Sequence, residues 1–422
     1  MHEDNYAAHL PPAAATRIRE FLPRPPVLPP LVDAPLLPEC RSCVIVPVRD
    51  EAERIESTLA ALACQIERPG LPLDPRSYEV IVLANNCHDQ TADIARRFGD
   101  DRPQLRLHIV EMTLSAAEAH VGRARQLLMD EAYRRFAGAG KARGIIASTD
   151  GDTRVAPDWL AATAFEIDRG ADAVGGRILT DDNERQALEA QARRCFLYDV
   201  GYQHLTAQLE ACIDPDPLDA WPRHYQHFGA SLALSAEAYA RAGGLPAVRS
   251  PEDVALYCAL RRIDAGIRHS PLVKVITSAR RHGRAGTGLA AQLADWSTVG
   301  AGHKPHLVEA VGRTEERLID RFRLRQLWRQ PRSPASTDAE VAALAIRLRV
   351  PSERLAQELS ASQAFGLLWE RLNPEDPANA PKSEVEEAIR QLRRRIVLWK
   401  QALKSARTGP VGIAPRAARG GG

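Results

Sequence analysis

Apolar runs and amphipathic stretches alternate along the chain from about residue 40. The run SCVIVPV is continuous and rich in β-branched residues, which predicts a buried strand. It is followed by EAERIESTLAALACQ, in which Ile55, Leu59 and Leu62 recur at helical spacing. The alternation continues through the strand runs YEVIVLAN, LRLHIVE and RGIIASTD and the helical runs TADIARRFG and VGRARQLLMDEAYRRFA. Short connections between these elements predict parallel βαβ units and a doubly wound α/β sheet.

Polar side chains follow three of the predicted strands at the point where each strand ends. These clusters are Pro47–Glu51, Asn85–Asp89 and Asp150–Asp152. Because ligands of open α/β sheets bind beyond the carboxyl ends of the strands, the three clusters together predict one site. Asp150 and Asp152 are separated only by a glycine, and such a carboxylate pair is suited to hold a hard cation. The alternative is that the DGD stretch is a solvated turn.

The pattern divides the chain into four parts. Residues 1–38 are proline-rich and predict an extended N-terminal arm. Residues 39–303 contain the strand and helix alternation, and we expect them to form the main domain. Residues 304–406 predict successive helices, and residues 407–422 predict a disordered tail.

The last predicted helix carries an apolar seam with residues at spacings of four and three. The seam comprises Val385, Ile389, Leu392, Ile396, Trp399 and Leu403. This heptad pattern predicts that the helix packs on the main domain or pairs two subunits as a homodimer. Capping-box motifs that begin at Thr337, Ser360 and Ser383 predict the starts of C-terminal helices.

One C-terminal segment, LAIRLRVPSERLAQELSASQAFGLLWERL, has a helix–turn–helix pattern that is typical of some nucleic-acid modules. Its second helix carries Phe365, Leu367, Leu368 and Trp369, which have the character of core residues, and few basic ones. We therefore expect no nucleic-acid partner.

Composition narrows the class of protein further. The chain has 422 residues, is 45% hydrophobic and 26% charged, and has a formal net charge of +2. This near-balance does not favour binding of nucleic acid or anionic membrane by the protein as a whole. The sequence shows neither a secretory signal nor the ~18 consecutive apolar residues of a transmembrane segment. We therefore expect a cytoplasmic protein.

The cysteines agree with a reducing compartment. Seven cysteines are scattered along the chain, and an odd, scattered set is not typical of a disulfide framework. Cys40 and Cys43 have the spacing of half a zinc site, but no second pair completes it. The pattern instead predicts buried thiols at the start of a strand.

At its strand ends the sequence resembles family 2 glycosyltransferases with the GT-A fold. The resemblance rests on VIVPVRDEAERI, VIVLANNCHDQTADIA, VGRARQLLMD, STDGDTRVAPDWLA and FGASLALSAEAYARAGGLPAVRSPEDVALYCAL, in that order over roughly residues 40–285. It implies that residues 39–303 form a GT-A domain with a doubly wound mixed sheet. It also implies transfer of a sugar from a nucleoside-diphosphate sugar, expected to be UDP-linked, to a small-molecule, glycan or lipid-linked acceptor. Mg²⁺ or Mn²⁺ is the implied cofactor.

The resemblance implies roles for individual residues. Asp152 is the expected metal ligand, Asp150 meets the ribose or a metal-bound water, and His282 is a further metal candidate. Asp253 of SPEDV is the implied general base, and Glu252 and Asp253 could alternatively be first-turn acids of a helix. The expected nucleotide-sugar contacts are Pro47, Val48, Arg49, Glu51, Asn85, Asn86, Arg123, Asp150 and Asp152.

Two alternatives to this reaction stay open. Attack by a deprotonated hydroxyl inverts the anomeric centre, so an inverting enzyme is expected. A retaining GT-A enzyme that makes a small glycoside is the nearest alternative, and a non-catalytic GT-A scaffold is the other. The sequence lacks a Gln-x-x-Arg-Trp element, which argues against a polymer-forming enzyme.

Overall fold

The central sheet begins with four parallel strands. A computed structural model of the protein describes residues 29–68, 70–280, 288–301, 305–329, 337–372 and 380–408. The parallel strands are β1 (Ser42–Val48), β2 (Tyr78–Asn85), β3 (Leu107–Met112) and β4 (Ile145–Ser148). They lie in the order β3-β2-β1-β4. Every residue of β1 is buried, as expected for a strand that is covered on both faces.

Beyond β4 the sheet becomes mixed. The remaining strands are β5 (Thr153–Val155), β6 (Ala173–Thr180), β7 (Leu232–Ser235) and β8 (Ile267–Thr277), and they extend the sheet in the order β7-β6-β8-β5. Strand β7 is antiparallel to both β4 and β6, and β8 is parallel to β6 but antiparallel to β5. The doubly wound mixed sheet predicted from the sequence is confirmed.

Helices cover both faces of the sheet. One face carries α1 (Ile55–Ala63), α2 (Thr91–Asp100) and α4 (Trp159–Asp168), and the other carries α3 (Val121–Gly138), α7 (Ala236–Arg241) and α8 (Glu252–Arg262). Successive residues of β1 contribute to opposite faces, because side chains alternate along a strand. Val44 and Val46 pack with the first set of helices, and Cys43 and Ile45 pack with the second. Cys40 and Cys43 are buried free thiols, as predicted.

The C-terminal region is helical and builds on a long helix inserted in the main domain. That helix is α6 (Ala190–Ile213), which follows the short α5 (Asp182–Gln186); α9 (Leu289–Ala301) also belongs to the main domain. The C-terminal region itself comprises α10 (Val311–Arg329), α11 (Thr337–Leu348), α12 (Ser352–Ala361), α13 (Phe365–Leu372) and α14 (Val385–Thr408), with a small ribbon of β9 (Leu307–Glu309) and β10 (Lys382–Glu384). Phe365 and Leu368 are buried against Leu324 and Leu344, so α13 contributes to a core. The helix start predicted at Ser360 is wrong, because that residue lies in the last turn of α12.

The predicted seam of α14 packs on the same chain. Its residues Val385, Ile389, Leu392 and Ile396 are buried. They share a hydrophobic cluster with Tyr202 and Leu209 of α6 and with Leu318 of α10. Of the two outcomes predicted for the seam, the structure therefore shows packing on the body, and homodimer formation is not needed to cover these residues.

A buried group of charges also joins α6 to α10. The Arg321 guanidinium donates to Asp214 at 2.6 Å and to Glu210 at 2.6 Å. Arg223, in the segment before β7, donates to Glu210 at 3.0 Å. Buried carboxylates are tolerated when they are paired in this way. This group ties the C-terminal helices to the main domain.

The described end of the N-terminal arm lies against α3. Val32 is buried in the core between the sheet and α3, and the Arg135 side chain donates to the Ala34 carbonyl oxygen at 2.8 Å. Residues 1–28 and 409–422, on which the predictions of an extended arm and a disordered tail largely fall, lie outside the described residues. Within the described ranges, none of the helices combines the length and the apolar character that crossing a bilayer requires.

Candidate active site

The predicted site residues follow strands that end at one edge of the sheet. β1 lies between β2 and β4 and is parallel to both, so the carboxyl ends of the three strands are adjacent. Val48, the last residue of β1, lies opposite Ala84 of β2. The segments that continue from these strands are residues 49–51, 86–89 and 149–152. The three polar clusters recognised in the sequence therefore meet in space.

Asp150 is held by a buried arginine that also binds Glu252. Arg125 of α3 donates to Asp150 at 2.5 Å and to Glu252 at 2.5 Å. The Arg125 side chain is only 4% exposed. Burial raises the pKa of Glu252, and the Arg125 guanidinium opposes that shift. Arg125 thus connects the carboxylate after β4 with the start of α8.

Gly151 allows the two aspartates to follow β4 so closely. A Cβ at this position would lie 2.6 Å from Cγ1 of Val48, which is closer than carbon atoms approach without displacement. The Gly151 carbonyl oxygen accepts a hydrogen bond of 3.0 Å from the Thr58 hydroxyl of α1. The glycine is therefore required by the approach of the β1 end, and it fixes Asp150 and Asp152 on either side.

Asp152 faces a second arginine, Arg280, at the end of β8. The Arg280 guanidinium lies 3.1 Å from the Asp152 carboxylate and makes a bidentate pair with Glu51 at 2.6 and 2.9 Å. Burial raises the pKa of Asp152 to about 6, and the carboxylates of Asp150 and Glu51 add to the shift. His282, the further metal candidate, lies outside the described residues.

The turn between β2 and α2 is fixed by its own polar side chains. Asn86 has a φ of 51° and exchanges two hydrogen bonds of 3.0 Å with the backbone of Leu114. Asp89 accepts from the Thr91 N–H at 3.0 Å, at the start of α2. Asn85 is 3% exposed, and its Oδ1 has no hydrogen-bond partner within the described part of the chain. Asn86 therefore has a structural use, whereas Asn85 retains an unused acceptor.

A second group of possible metal ligands lies beside this turn. Single ligand atoms of Asp50, Cys87 and Asp89 come within 4.8 Å of one another. Both Asp89 oxygens already accept backbone hydrogen bonds, from Thr91 at 3.0 Å and from Ala52 at 3.0 Å. Asp50 accepts a bond of 2.6 Å from the His88 N–H. These hydrogen bonds join the loop after β1 to the loop after β2, which accounts for the closeness of the three side chains without a metal ion.

The predicted nucleotide contacts in and after β1 differ in how much of each side chain a ligand could reach. Pro47 and Val48 are buried strand residues, so they can offer a ligand only their backbone. The Arg49 side chain donates to the Ala119 carbonyl oxygen at 3.3 Å and is partly exposed. Glu51 is 6% exposed and is paired with an arginine. The structure brings these residues to one edge, and their contact with a nucleotide stays a prediction.

The arginine of α3 that reaches the site is not the one predicted. The Arg123 side chain donates to Gln126 of its own helix at 2.8 Å, whereas Arg125 bonds to Asp150. The sequence contained a signal for this difference. Arg125 precedes Leu128 and Ala132 by three and seven residues, so it lies on the buried face of α3. A charged residue on such a face requires a partner.

Asp253 reaches the same region from α8. One of its oxygens accepts the Gly229 N–H at 2.8 Å, and the Gly229 carbonyl oxygen accepts from the Ser148 hydroxyl at 2.8 Å. A Cβ at Gly229 would lie 2.1 Å from Nη1 of Arg125. Asp253, Gly229 and Arg125 are therefore packed together next to the end of β4. The Glu-Asp pair has two uses, because Glu252 binds Arg125 while Asp253 binds the backbone.

Two aromatic rings lie beside Asp253. His227 stacks on Tyr257 of α8, with ring centroids 3.7 Å apart and planes inclined by 10°. Burial lowers the pKa of His227 to about 4, so its imidazole is neutral at physiological pH. This stack was not anticipated from the sequence, because the two residues belong to separate segments with no periodic relation.

Comparison with known proteins identifies the domain. Residues 43–214 match the family model of Glycosyl transferase family 2. The chain carries a family 2 glycosyltransferase domain. For this domain, the predicted family, its GT-A fold and the predicted enzyme class, a glycosyltransferase, are confirmed by the match together with the mixed sheet.

Individual relatives resemble this chain more distantly. Glycosyltransferase AglE of Haloferax volcanii is 31% identical over 138 residues, which cover 32% of this chain and 38% of that protein. The mannosyltransferase PcManGT of Pyrobaculum calidifontis, solved with GDP-mannose and Mn²⁺, has a TM-score of 0.41 and 17% identity over 82% of this chain and 91% of its own. S. aureus TarS, solved with UDP-GlcNAc, has a TM-score of 0.40 and 14% identity over 79% of this chain and 90% of its own.

Proposed function

We propose that this protein is a metal-dependent, inverting glycosyltransferase that moves a sugar from a nucleoside-diphosphate sugar to an acceptor hydroxyl. The observation that carries the proposal is the convergence of Asp150, Asp152 and Asp253. Two of them follow β4 directly, and the third lies on α8, linked to the first through Arg125 and Gly229. Donor-side and acceptor-side carboxylates beside one strand end are what the transfer requires.

The carboxylates around Asp152 fit a divalent cation. The carboxylates of Asp150 and Glu51 both raise the pKa of Asp152, because the three negative charges repel one another. In the structure, the Arg280 guanidinium relieves part of that repulsion. Oxygen ligands suit Mg²⁺ and Mn²⁺, which one or two carboxylates hold together with substrate phosphates. Asp152 is the proposed ligand.

Such an ion offsets the negative charge that develops on the departing diphosphate. The chain's own groups do the rest. Arg125 fixes Asp150, so that this carboxylate can orient the ribose or a bound water. The Asn85 side chain and the backbone of Pro47–Arg49 are the proposed contacts of the nucleotide base. We propose uridine as that base, and guanosine is the outcome that would revise this detail.

Asp253 is the proposed general base. Its Oδ2 accepts from Gly229 at 2.8 Å, which orients the carboxylate, and it lies on α8 rather than at a donor-side strand end. Proton removal as the acceptor oxygen attacks contributes typically ~10²–10⁴-fold to rate. Direct attack with Asp253 as base inverts the anomeric centre. The acceptor, whether a small molecule, a glycan or a lipid-linked sugar, is left to experiment.

The test is a donor panel. The purified full chain is incubated with UDP- and GDP-linked sugars and candidate hydroxyl acceptors, with Mn²⁺ or with EDTA. The release of the nucleoside diphosphate, UDP or GDP, is measured. The proposal predicts metal-dependent release from one donor and, by NMR, a product with inverted anomeric configuration. Retention of configuration would replace the inverting mechanism with a retaining one. Nucleotide binding without turnover of any donor would favour the scaffold alternative.

A further inference from the structure

The outward face of α14 exposes aliphatic side chains that the fold does not use. Val397 is 54% exposed and Leu398 is 56% exposed. Leu392 and Ile396 of the same helix are buried on the opposite side, against α6 and α10. The seam that attaches α14 is therefore complete without Val397 and Leu398, and their exposure calls for a separate explanation.

Cations surround these two residues. Arg393 and Arg394 precede Val397 by four and three residues, and Lys400 follows it by three, so all three are its neighbours on the helix surface. Each of them is exposed. Between Ala388 and Thr408 the sequence contains no aspartate or glutamate. The basic residues of α14 up to Ser405 are Arg390, Arg393, Arg394, Arg395, Lys400 and Lys404. The near-neutral net charge of the chain conceals this local concentration.

The surface continues onto α6. A groove of about 400 Å³ between α6 and α14 is lined by Leu197, Tyr198, Gly201, His204, Leu205, Glu386, Ile389, Arg390 and Arg393. Its one acidic residue, Glu386, pairs with Arg194, and the neighbouring Glu387 pairs with Arg390. Leu197 is 54% exposed. Exposed aliphatic groups and arginines thus extend over two neighbouring helices. We call this surface, comprising Leu197, Arg390, Arg393, Arg394, Val397, Leu398 and Lys400, the basic face.

We propose that the basic face docks the protein peripherally on a bilayer that contains anionic lipids. Lysine and arginine side chains attract anionic headgroups, and aliphatic side chains beside them enter the boundary between headgroups and acyl chains. The inference rests on α14 and α6 alone and does not depend on the proposed reaction.

Other occupants fit the basic face less well. A second copy would bring the same cations against one another, because a two-fold contact is self-complementary. Residues 409–422 contain arginines and no acid, so this tail would also be repelled. The phosphates of nucleic acid would bind the cations, but they would not bury the aliphatic side chains of Val397 and Leu398. An anionic bilayer can bind the cations through its headgroups and bury the aliphatic side chains at its acyl boundary.

Vesicle co-sedimentation of the full chain tests the proposal. Vesicles of phosphatidylcholine are compared with vesicles that contain about 30% phosphatidylglycerol, at about 0.1 M salt. The wild type is expected to bind only the anionic vesicles and to be released by high salt. Each cation near such a surface contributes about fivefold, so Arg393→Glu with Arg394→Glu should weaken binding by at least roughly 30-fold.

A second variant and a matched control separate charge from insertion. Val397→Ser with Leu398→Ser should weaken binding severalfold while leaving its salt dependence in place. Arg97→Glu with Arg354→Glu removes the same charge from exposed positions on α2 and α12 and should bind like the wild type. Unfolding midpoints confirm that the variants fold.

Several results would overturn the proposal. They are absence of wild-type binding to anionic vesicles, equal binding to both vesicle types, and an equal loss in the control variant. A wild-type dimer in solution that Arg393→Glu with Arg394→Glu converts to a monomer would assign the face to a second copy instead. Tight binding of a DNA or RNA duplex without vesicle binding would assign it to nucleic acid.

Discussion

The Arg280 guanidinium lies 3.1 Å from the carboxylate of Asp152, in the position where the proposed mechanism requires a cation. Arg280 also makes a bidentate pair with Glu51. The arginine therefore competes with a divalent ion for the same carboxylate. This relationship joins residues that are 128 positions apart in sequence, and it yields a direct prediction.

Arg280→Ala should bind Mn²⁺ more tightly than the wild type when no nucleotide is present. Removing a guanidinium in contact with Asp152 eliminates the competing cation, and the expected gain is roughly tenfold. Calorimetry or the paramagnetic signal of free Mn²⁺ measures it. Arg154→Ala is the matched control, because Arg154 lies on neighbouring β5 but pairs with Asp181. Unchanged or weaker Mn²⁺ binding in Arg280→Ala would show that Arg280 does not occupy the cation position.

Asp253→Asn should reduce turnover by ~10²–10⁴-fold while the affinity for the nucleotide sugar stays nearly constant. Asparagine keeps the shape and the acceptor for the Gly229 N–H but cannot take a proton. If Asp253 is only a first-turn acid of α8, its loss costs ~0.3–1 kcal/mol of stability and leaves the rate intact. Single-turnover kinetics and thermal melting decide between the two. Glu237→Gln, at the first turn of α7, controls for the helix effect.

Leu392→Ala should destabilise the protein by about 2–5 kcal/mol, because it opens a cavity between α14, α6 and α10. Leu398→Ala, the same substitution on the exposed side of the same helix, should change stability by less than about 0.5 kcal/mol. Denaturant unfolding measures both. Equal effects of the two substitutions would mean that the seam of α14 is not packed on the body. An unchanged molar mass in both variants is also expected.

Asp199→Asn should stabilise the protein at neutral pH and not under acidic conditions. Burial raises the pKa of Asp199 in α6 from 3.8 to about 6. The protonated form is thus favoured in the folded state, so the wild type loses stability as pH rises from about 4 to about 6. The asparagine variant avoids this loss and should gain about 2–3 kcal/mol above pH ~6, with little gain below pH ~4. Unfolding at the two pH values, with exposed Asp168→Asn as control, checks the pH dependence.

The sequence was sufficient to predict the first half of the sheet. Strands β1, β2 and β4 are buried on both faces and read as continuous apolar runs, and α1 and α2 follow β1 and β2 after short connections. Strands β5 to β8 were not predicted, because each is short or mixes buried and exposed positions. The pairing of β5 with β8 also joins distant segments. The capping-box motif at Ser360 gave a wrong helix start, since a local motif does not determine whether the chain has left the preceding helix.

The site was predictable where it depends on strand ends and not where it depends on long-range pairs. Asp150, Asp152 and their neighbours could be grouped because parallel strands end at a shared edge. The pairing of Arg280 with Glu51 spans 229 residues and has no local signal. Arg125 was not among the predicted contacts, although its place on the buried face of α3 was a signal, and the nucleotide contact of Arg123 stays a prediction.

Calorimetric titration of UDP and GDP into the wild type and Asp152→Asn, each with Mn²⁺ and with EDTA, tests the proposed metal site. The wild type is expected to bind one of the two nucleotides at least roughly tenfold more tightly with Mn²⁺ than with EDTA. Asp152→Asn should lose that gain while its unfolding midpoint does not fall. Equal nucleotide affinity with and without Mn²⁺ in both proteins would contradict the metal site at Asp152, and with it the proposed mechanism.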